Sequence, residues 1–311
     1  MTKLTMGLTR NHMETIVRWF TGGACNLSCP YCVNDQLERA ATWTQTEVGL
    51  AVDLVNALAP VATLMLIGGE PTCIAWLPTA VRQLRGVRRV EVLTNGLLVD
   101  NLTTLTAIAA DVAKWVDLLI TVHPAAWTDR EQLMTAVDKW MALEHSNVHV
   151  QIKCLLTSVD DEHACTVNAL AAELVPTGHL LAVARRVPSH GPTMREVTAA
   201  LRGTTSPRLR KLLTARATME NRACPYAGQA CPVAGKVANI TPWGVSGVKC
   251  GAVEREIIPW STPCQELVLT LRRQQVLCPE RQQGCDCDAT VDTEIAEQLG
   301  LRDVNYNEID A

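Results

Sequence analysis

Aromatic residues make up only 4% of this 311-residue chain, with a single Phe. A core of any size is then expected to come from Leu, Val, Ala, Ile and Met. No long block of one charge sign occurs and the net charge is −4, which speaks against nucleic acid or an anionic membrane as a partner. No apolar run is long enough to cross a bilayer. The opening MTKLTMGLTRNHMETIVRWF has neither an apolar signal core nor a cleavage signal, so a soluble, cytoplasmic protein is expected. What the chain does not lack is cysteine: it has thirteen. Secreted disulfide scaffolds are much shorter, so metal or redox chemistry is the better reading.

The cysteines are unevenly placed. Cys25, Cys29 and Cys32 form a C-x3-C-x2-C triplet, and Cys73, Cys154 and Cys165 are scattered. Cys224, Cys231, Cys250, Cys264, Cys278, Cys285 and Cys287 crowd the last third. The scattered three read as small buried apolar residues.

Short apolar runs alternate with amphipathic segments from Glu14 to about Pro188. The runs are IVRWF (16–20), TLMLIGG (63–69), RVEVLTNG (89–96), DLLITVH (117–123), VHVQIKCLL (148–156) and HLLAVA (179–184). Each is bounded by turn residues and rich in Val, Ile and Leu, as expected of a parallel strand buried on both faces. Thr44-Gln-Thr-Glu47 and Thr128-Asp-Arg-Glu131 read as capping boxes that start helices. Six strands, each followed by a helix, predict an α/β fold: a partial (β/α)6 TIM-like barrel with right-handed crossovers. Chemistry then belongs at the C-terminal ends of the strands. The triplet follows strand one, Gly68-Gly69-Glu70-Pro71 strand two, and Thr94-Asn95-Gly96 strand three. Thr121 and His123 end strand four, Lys153 lies in strand five, and Arg185-Arg186 follow strand six.

Three thiolates on one short loop suit a cubane [4Fe–4S] cluster, binding three irons and leaving the fourth open. Zinc, completed by a distant fourth cysteine, is the alternative. The triplet, with Tyr31 before its last cysteine, and the Gly-Gly-Glu-Pro after strand two together resemble the radical S-adenosylmethionine (SAM) superfamily over roughly residues 14–188. The resemblance implies that Cys25, Cys29 and Cys32 hold the cluster and that SAM chelates the open iron. It implies that Gly68, Gly69 and Glu70 receive the SAM amino group, with Tyr31 near the adenine. Asn95, Thr121, His123, Lys153 and Arg185 stand where that family contacts the rest of SAM. The implied chemistry is reductive cleavage of SAM and removal of a hydrogen atom from a substrate carbon, fed by an electron donor such as flavodoxin or ferredoxin.

In the last third, Cys231 is followed by twelve residues, Gly244, five residues and Cys250. This resembles the opening of SPASM and twitch auxiliary-cluster domains, with the second spacing one residue longer than theirs. Strands flanking Pro242-Trp243-Gly244 would form a hairpin that brings the two cysteines together, and QELVLTLRRQQ (265–275) reads as an amphipathic helix. The ending Cys278-PERQQG-Cys285-Asp-Cys287 is shorter than a full SPASM closure. A twitch-like domain with one auxiliary [4Fe–4S] cluster is therefore expected, two clusters and zinc being the alternatives. The expected division is 1–217 for the barrel with linker helices, 218–292 for the auxiliary domain and 293–311 for a polar tail. Cys224 and Cys264 are candidates for returning a hydrogen atom to a substrate radical, as the resemblance to radical SAM epimerases suggests. The resemblance further implies a peptide or a small polar natural product as substrate, and epimerisation, dehydrogenation or crosslinking as outcome. The competing reading is an iron–sulfur electron-transfer or redox-sensing protein without radical chemistry.

Overall fold

The computed structural model describes residues 15–29, 32, 39–156, 162–174, 180–185, 237–247 and 257–273. Tyr31, Cys224, Cys231, Cys250, Cys278, Cys285 and Cys287 lie outside them, as do the linker helices expected before residue 218 and the tail from Thr293.

Strands β1 (Thr15–Phe20), β2 (Val61–Ile67), β3 (Val87–Thr94), β4 (Trp115–Val122), β5 (Val148–Leu156) and β6 (Leu180–Arg185) match the six apolar runs. The helices between them are α1 (Gln45–Leu58), α2 (Leu77–Arg82), α3 (Val99–Val112), α4 (Arg130–Met141) and α5 (Glu162–Leu174). Beyond β6 come β7 (Val237–Thr241), β8 (Gly244–Ser246) and α6 (Cys264–Arg273). The sheet order is β6-β5-β4-β3-β2-β1-β7-β8. Every pair is parallel except β7 with β8.

The expected capping box at α1 is present. Thr44 Oγ1 accepts from the Glu47 amide at 3.2 Å, and the Glu47 carboxylate accepts from the Thr44 amide at 2.8 Å. Val48, Ala51, Val52, Val55 and Leu58 form the buried stripe of this helix. At α4 the cap is Asp129, not Thr128: its carboxylate accepts from the Glu131 amide at 3.0 Å. A carboxylate caps as well as a hydroxyl and also meets the positive end of the helix dipole.

One face of the sheet is the core. Val17, Trp19, Leu64, Leu66, Val90, Val92, Val116, Leu118, Ile120, Val150 and Ile152 alternate along their strands and pack with the helices in one buried cluster. The largest fully buried side chains are Trp19 and Trp140, which corrects the expectation of an aliphatic core. The aromatic fraction is low, yet eight of its members are Trp. Trp43 lies 6.0 Å from Trp19 and 6.0 Å from Trp260, and Trp76 lies 5.8 Å from both Trp19 and Trp43. The opposite face corrects a second expectation, that the strands are buried on both sides. The alternate residues Arg18, Met65, Glu91, His149, Gln151 and Lys153 are only partly buried, and most are polar. Period-2 alternation is the pattern of a strand with two unlike faces.

The β7–β8 hairpin expected around Pro242-Trp243-Gly244 forms, and it extends the main sheet. β7 pairs with β1 from Ile16↔Val237 to Trp19↔Ile240. Gly244 has φ +139°, and a Cβ there would lie 2.2 Å from the Ile258 carbonyl oxygen, so the turn admits only glycine. The buried residues Leu267, Val268 and Leu271 of α6 join the same core cluster. Among the described residues, no helix is long and apolar enough to cross a membrane.

Candidate functional site

The cysteine loop leaves the C-terminal end of β1 and is stitched to the turn that leaves β2. The Gly69 amide donates to the Gly22 carbonyl at 2.7 Å, and the Glu70 amide donates to the Ala24 carbonyl at 2.8 Å. Glycine is required on the β2 side because the two backbones nearly touch. A Cβ on Gly69 would stand 2.2 Å from the Ala24 carbonyl oxygen, and one on Gly68 (φ +135°) 2.6 Å from the Gly22 carbonyl oxygen. The glycine pair thus admits the cysteine loop itself. On the other flank the Gly23 amide donates to the Ala41 carbonyl at 3.1 Å. The Trp43 indole donates to the Phe20 carbonyl at 3.0 Å, and Arg39 Nη2 to the Cys29 carbonyl at 3.2 Å.

Glu70 is the hub. Its side chain is 1% exposed. Oε1 accepts from the Thr72 amide at 3.1 Å, the Thr72 hydroxyl at 2.6 Å and the Thr94 hydroxyl at 2.7 Å. Oε2 accepts from the Asn95 amide at 2.7 Å. Asn95 then reaches back, its Nδ2 donating to Asn26 Oδ1 at 2.7 Å. One buried carboxylate therefore ties the exits of β2 and β3 to the cysteine loop, with charge-assisted bonds. Changing Glu70→Gln turns one acceptor oxygen into a donor facing donors. The expected loss is about 2–3 kcal/mol of stability, read as a lowered midpoint in denaturant unfolding.

Within the loop, Cys25 and Cys32 are exposed and Cys29 is buried. The Leu27 amide points at Cys25 Sγ at 3.4 Å, and Cys29 Sγ lies 3.6 Å from His123 Nδ1. Burial pushes the Cys25 thiol up; the Leu27 amide pulls it down, and the nearby Glu70, Cys29 and Cys32 add to the rise. Among the described residues, no group of three or more His, Cys, Asp or Glu is gathered around a point for one metal ion. A cubane does not need such a point, because each thiolate takes its own iron. The donor set, three thiols on one loop at a sheet end, fits that group.

The expected site residues fall as follows. Cys25, Cys29, Cys32, Gly68, Gly69, Glu70, Asn95 and His123 are brought together by the contacts above. Thr121 and Lys153 are cross-strand neighbours on the partly buried face. Arg185 is the last residue of β6, inside the strand and not after it. Cys264 opens α6 and packs on the core; burial and then the charge of Asp53 on α1 push its thiol up. Cys73 was read as a buried apolar residue. It is half-buried, its thiol pushed up by burial and then by the charges of Glu70 and Cys25, with the Asn26 backbone acting the other way. Its place three residues after Glu70 was the available sequence signal.

Three thiols and a Gly-Gly-Glu turn thus stand side by side at neighbouring strand ends of a parallel α/β sheet, the arrangement that the resemblance to the radical SAM superfamily leads one to expect. A probable GTP 3′,8-cyclase of Metallosphaera sedula is 35% identical over 82 residues, and the match spans 25% of this chain and 26% of that protein. SuiB of Streptococcus suis superposes with a TM-score of 0.52 at 12% identity, covering 83% of this chain and 67% of SuiB. SuiB bound to S-adenosylmethionine gives 0.49 at 12% identity over 83% and 65%. SuiB bound to the precursor peptide SuiA gives 0.42 at 12% identity over 61% and 45%. No family model matches the chain.

Proposed function

We propose that the protein is a radical SAM enzyme that reductively cleaves SAM and removes a hydrogen atom from a peptide or a small polar natural product. The reading is carried by the stitching of the cysteine loop to the Gly-Gly-Glu turn through Gly69, Glu70 and the Gly22 and Ala24 carbonyls. When bound, the cluster and SAM supply one-electron chemistry that the side chains cannot. Cys25, Cys29 and Cys32 would hold the cluster. Cys29 would do so from a buried position beside His123, and a ring N–H aimed at its sulfur would tune the potential. The Gly68 and Gly69 carbonyls and Glu70 Oε2, which accepts one bond where Oε1 accepts three, would take the SAM ammonium. Asn95, Thr121, Lys153 and Arg185 would line the rest of the nucleotide, and Tyr31 the adenine.

Strands in sequential order with right-handed crossovers put the helices on one face, and curvature into a partial barrel would enclose the polar face. Enclosure would keep water from the reacting carbon. The last third would carry a twitch-like auxiliary cluster on Cys231 and Cys250 with two of Cys278, Cys285 and Cys287. Cys224 would be the hydrogen donor if the product is an epimer, since Cys264 lies in the helix layer beside Asp53. SuiB, which shares the fold, has been crystallised with a precursor peptide, and a peptide is one of the two substrate classes proposed.

Anaerobically reconstituted protein with SAM and dithionite is expected to release 5′-deoxyadenosine. Iron–sulfur absorbance without that release would favour an electron carrier, and a colourless protein a zinc module. The proposal also needs the cluster to have three protein ligands. Cys73, whose thiol feels the charge of Cys25, is the described cysteine to test as a fourth. Cys73→Ser is expected to keep both the visible absorbance and SAM cleavage; loss of the absorbance would mean a closed cluster with no vacancy for SAM.

A further inference from the structure

The partly buried face of the sheet carries a row of side chains in register. Arg18 of β1 pairs with Met65, Met65 with Glu91, Glu91 with Asp117, and Asp117 with His149. On its other side Arg18 pairs with Asn239 of β7. Partners in register on parallel strands point to the same face, so these side chains line one band across it. The row nearer the strands' N-terminal ends contains Arg89 and Trp115, and Trp115 stacks on His149 at 5.4 Å. One row toward the cysteine loop stands Phe20, stacked at 6.4 Å on Trp243, which is 45% exposed.

The two arginines of this face differ. Arg89 is engaged: its Nε bonds Asp117 and lies 3.5 Å from Glu91. Arg18 has no hydrogen bond or ion pair among the described residues, and its Nε is buried with no partner. It acts on Glu91 only through its field. Asp117, 1% exposed, also keeps one carboxylate oxygen, Oδ1, without a partner. A buried guanidinium N–H left unpaired is costly, and the group is a fork of five donors shaped for a carboxylate or a phosphate. The charges agree. Among the described residues of this face, Arg18, Arg89 and Lys153 set three cations against Glu91 and Asp117, and burial pushes the Glu91 carboxyl up.

We infer that this face holds a recognition site for an anionic group, a carboxylate or a phosphate, centred on Arg18. As a statement about the substrate it rests on the function proposed above. An anion there lies one row, about 7 Å, below Phe20, and the body of the molecule then passes Phe20 and Trp243 toward the cysteine loop. Asn239 offers no competing charge; its Nδ2 is spent on the Ser246 and Gly247 carbonyls.

The test is calorimetric titration of the reconstituted holoprotein, without SAM, against sodium pyrophosphate and against disodium glutarate at fixed ionic strength, with chloride as reference. At least one is expected to bind saturably, and which one does so separates a phosphate from a carboxylate. Arg18→Gln is expected to weaken that binding about tenfold or more, the scale of a lost charge-assisted pair. Arg18→Lys, which keeps the charge without the fork, is expected to fall between, and it serves as the folded comparison if the glutamine variant does not fold. No binding of either anion above chloride, or wild-type affinity in a folded variant, overturns the inference. SAM cleavage by the wild-type sample is scored in parallel. Anion binding without cleavage leaves the site standing and removes the radical reading; cleavage without anion binding does the reverse.

Discussion

Changing Cys29→Ala is expected to reduce 5′-deoxyadenosine release to background while leaving the visible absorbance of any auxiliary cluster. Cys29 is the buried member of the triplet, at 8% exposed, whereas Cys25 and Cys32 face solvent. A thiol in that position is held by its surroundings: His123 Nδ1 lies 3.6 Å from the sulfur, Arg39 binds its carbonyl, and the Cys32 amide donates to the same carbonyl at 3.1 Å. The ligand whose geometry is set by the fold is the one that exogenous thiol or a neighbouring cysteine replaces least well. Iron content, visible absorbance and SAM turnover on one anaerobic preparation decide it. A variant that still cleaves SAM at the wild-type rate would remove the triplet from the chemistry.

The second large effect is expected at Gly69, which would touch neither metal nor substrate through a side chain. In Gly69→Ala the new methyl would stand 2.2 Å from the Ala24 carbonyl oxygen and 2.7 Å from that of Gly23. Both obstacles are backbone, so neither can rotate away. The β2 turn and the cysteine loop must separate, and the bonds from the Gly69 and Glu70 amides to Gly22 and Ala24 go with them. A loss of about 3 kcal/mol or more is expected in chemical denaturation. The separation also moves Cys25 relative to the Glu70 hub. The iron bound per chain after reconstitution should therefore drop even below the unfolding midpoint. Gly49→Ala is the control, because a Cβ there meets nothing within 4 Å and the position lies inside α1. It should match or exceed wild-type stability, as expected where alanine replaces glycine in a helix. If Gly69→Ala unfolds like wild type and loads iron normally, the close approach described here is wrong.

Much of this architecture was legible because parallel strands leave a local trace. All six runs fell within a few residues of the strands, since each is a short stretch of β-branched and aliphatic residues between turn formers. The α1 cap was legible for the same reason: Thr44 and Glu47 are neighbours in sequence. Thr128 was the wrong cap because Asp129, one residue on, offered an equal acceptor with the better charge. The unlike faces of the strands were also written in the chain: Arg18 between Val17 and Trp19, Glu91 between Val90 and Val92. The expectation of double burial overlooked that alternation.

The Glu70 hub was not legible. Its donors come from Thr72, Thr94 and Asn95, and two of these lie on another strand exit. No periodicity encodes a long-range hydrogen bond. The contact between Cys29 and His123 spans 94 positions and was hidden for the same reason. The tryptophan assembly was hidden by its average: a composition of 4% says nothing about Trp19, Trp43, Trp76 and Trp260 lying together.

β7 lies alongside β1, the strand that delivers the cysteine loop. Cut the chain before Val237 and β1 becomes an open border, its amides and carbonyls aimed at nothing. Such a fragment would recruit a second copy of itself, or precipitate, before it could be loaded with iron. The hairpin is thus a selvedge, and shortened versions of this protein should keep it and never end between β6 and β7.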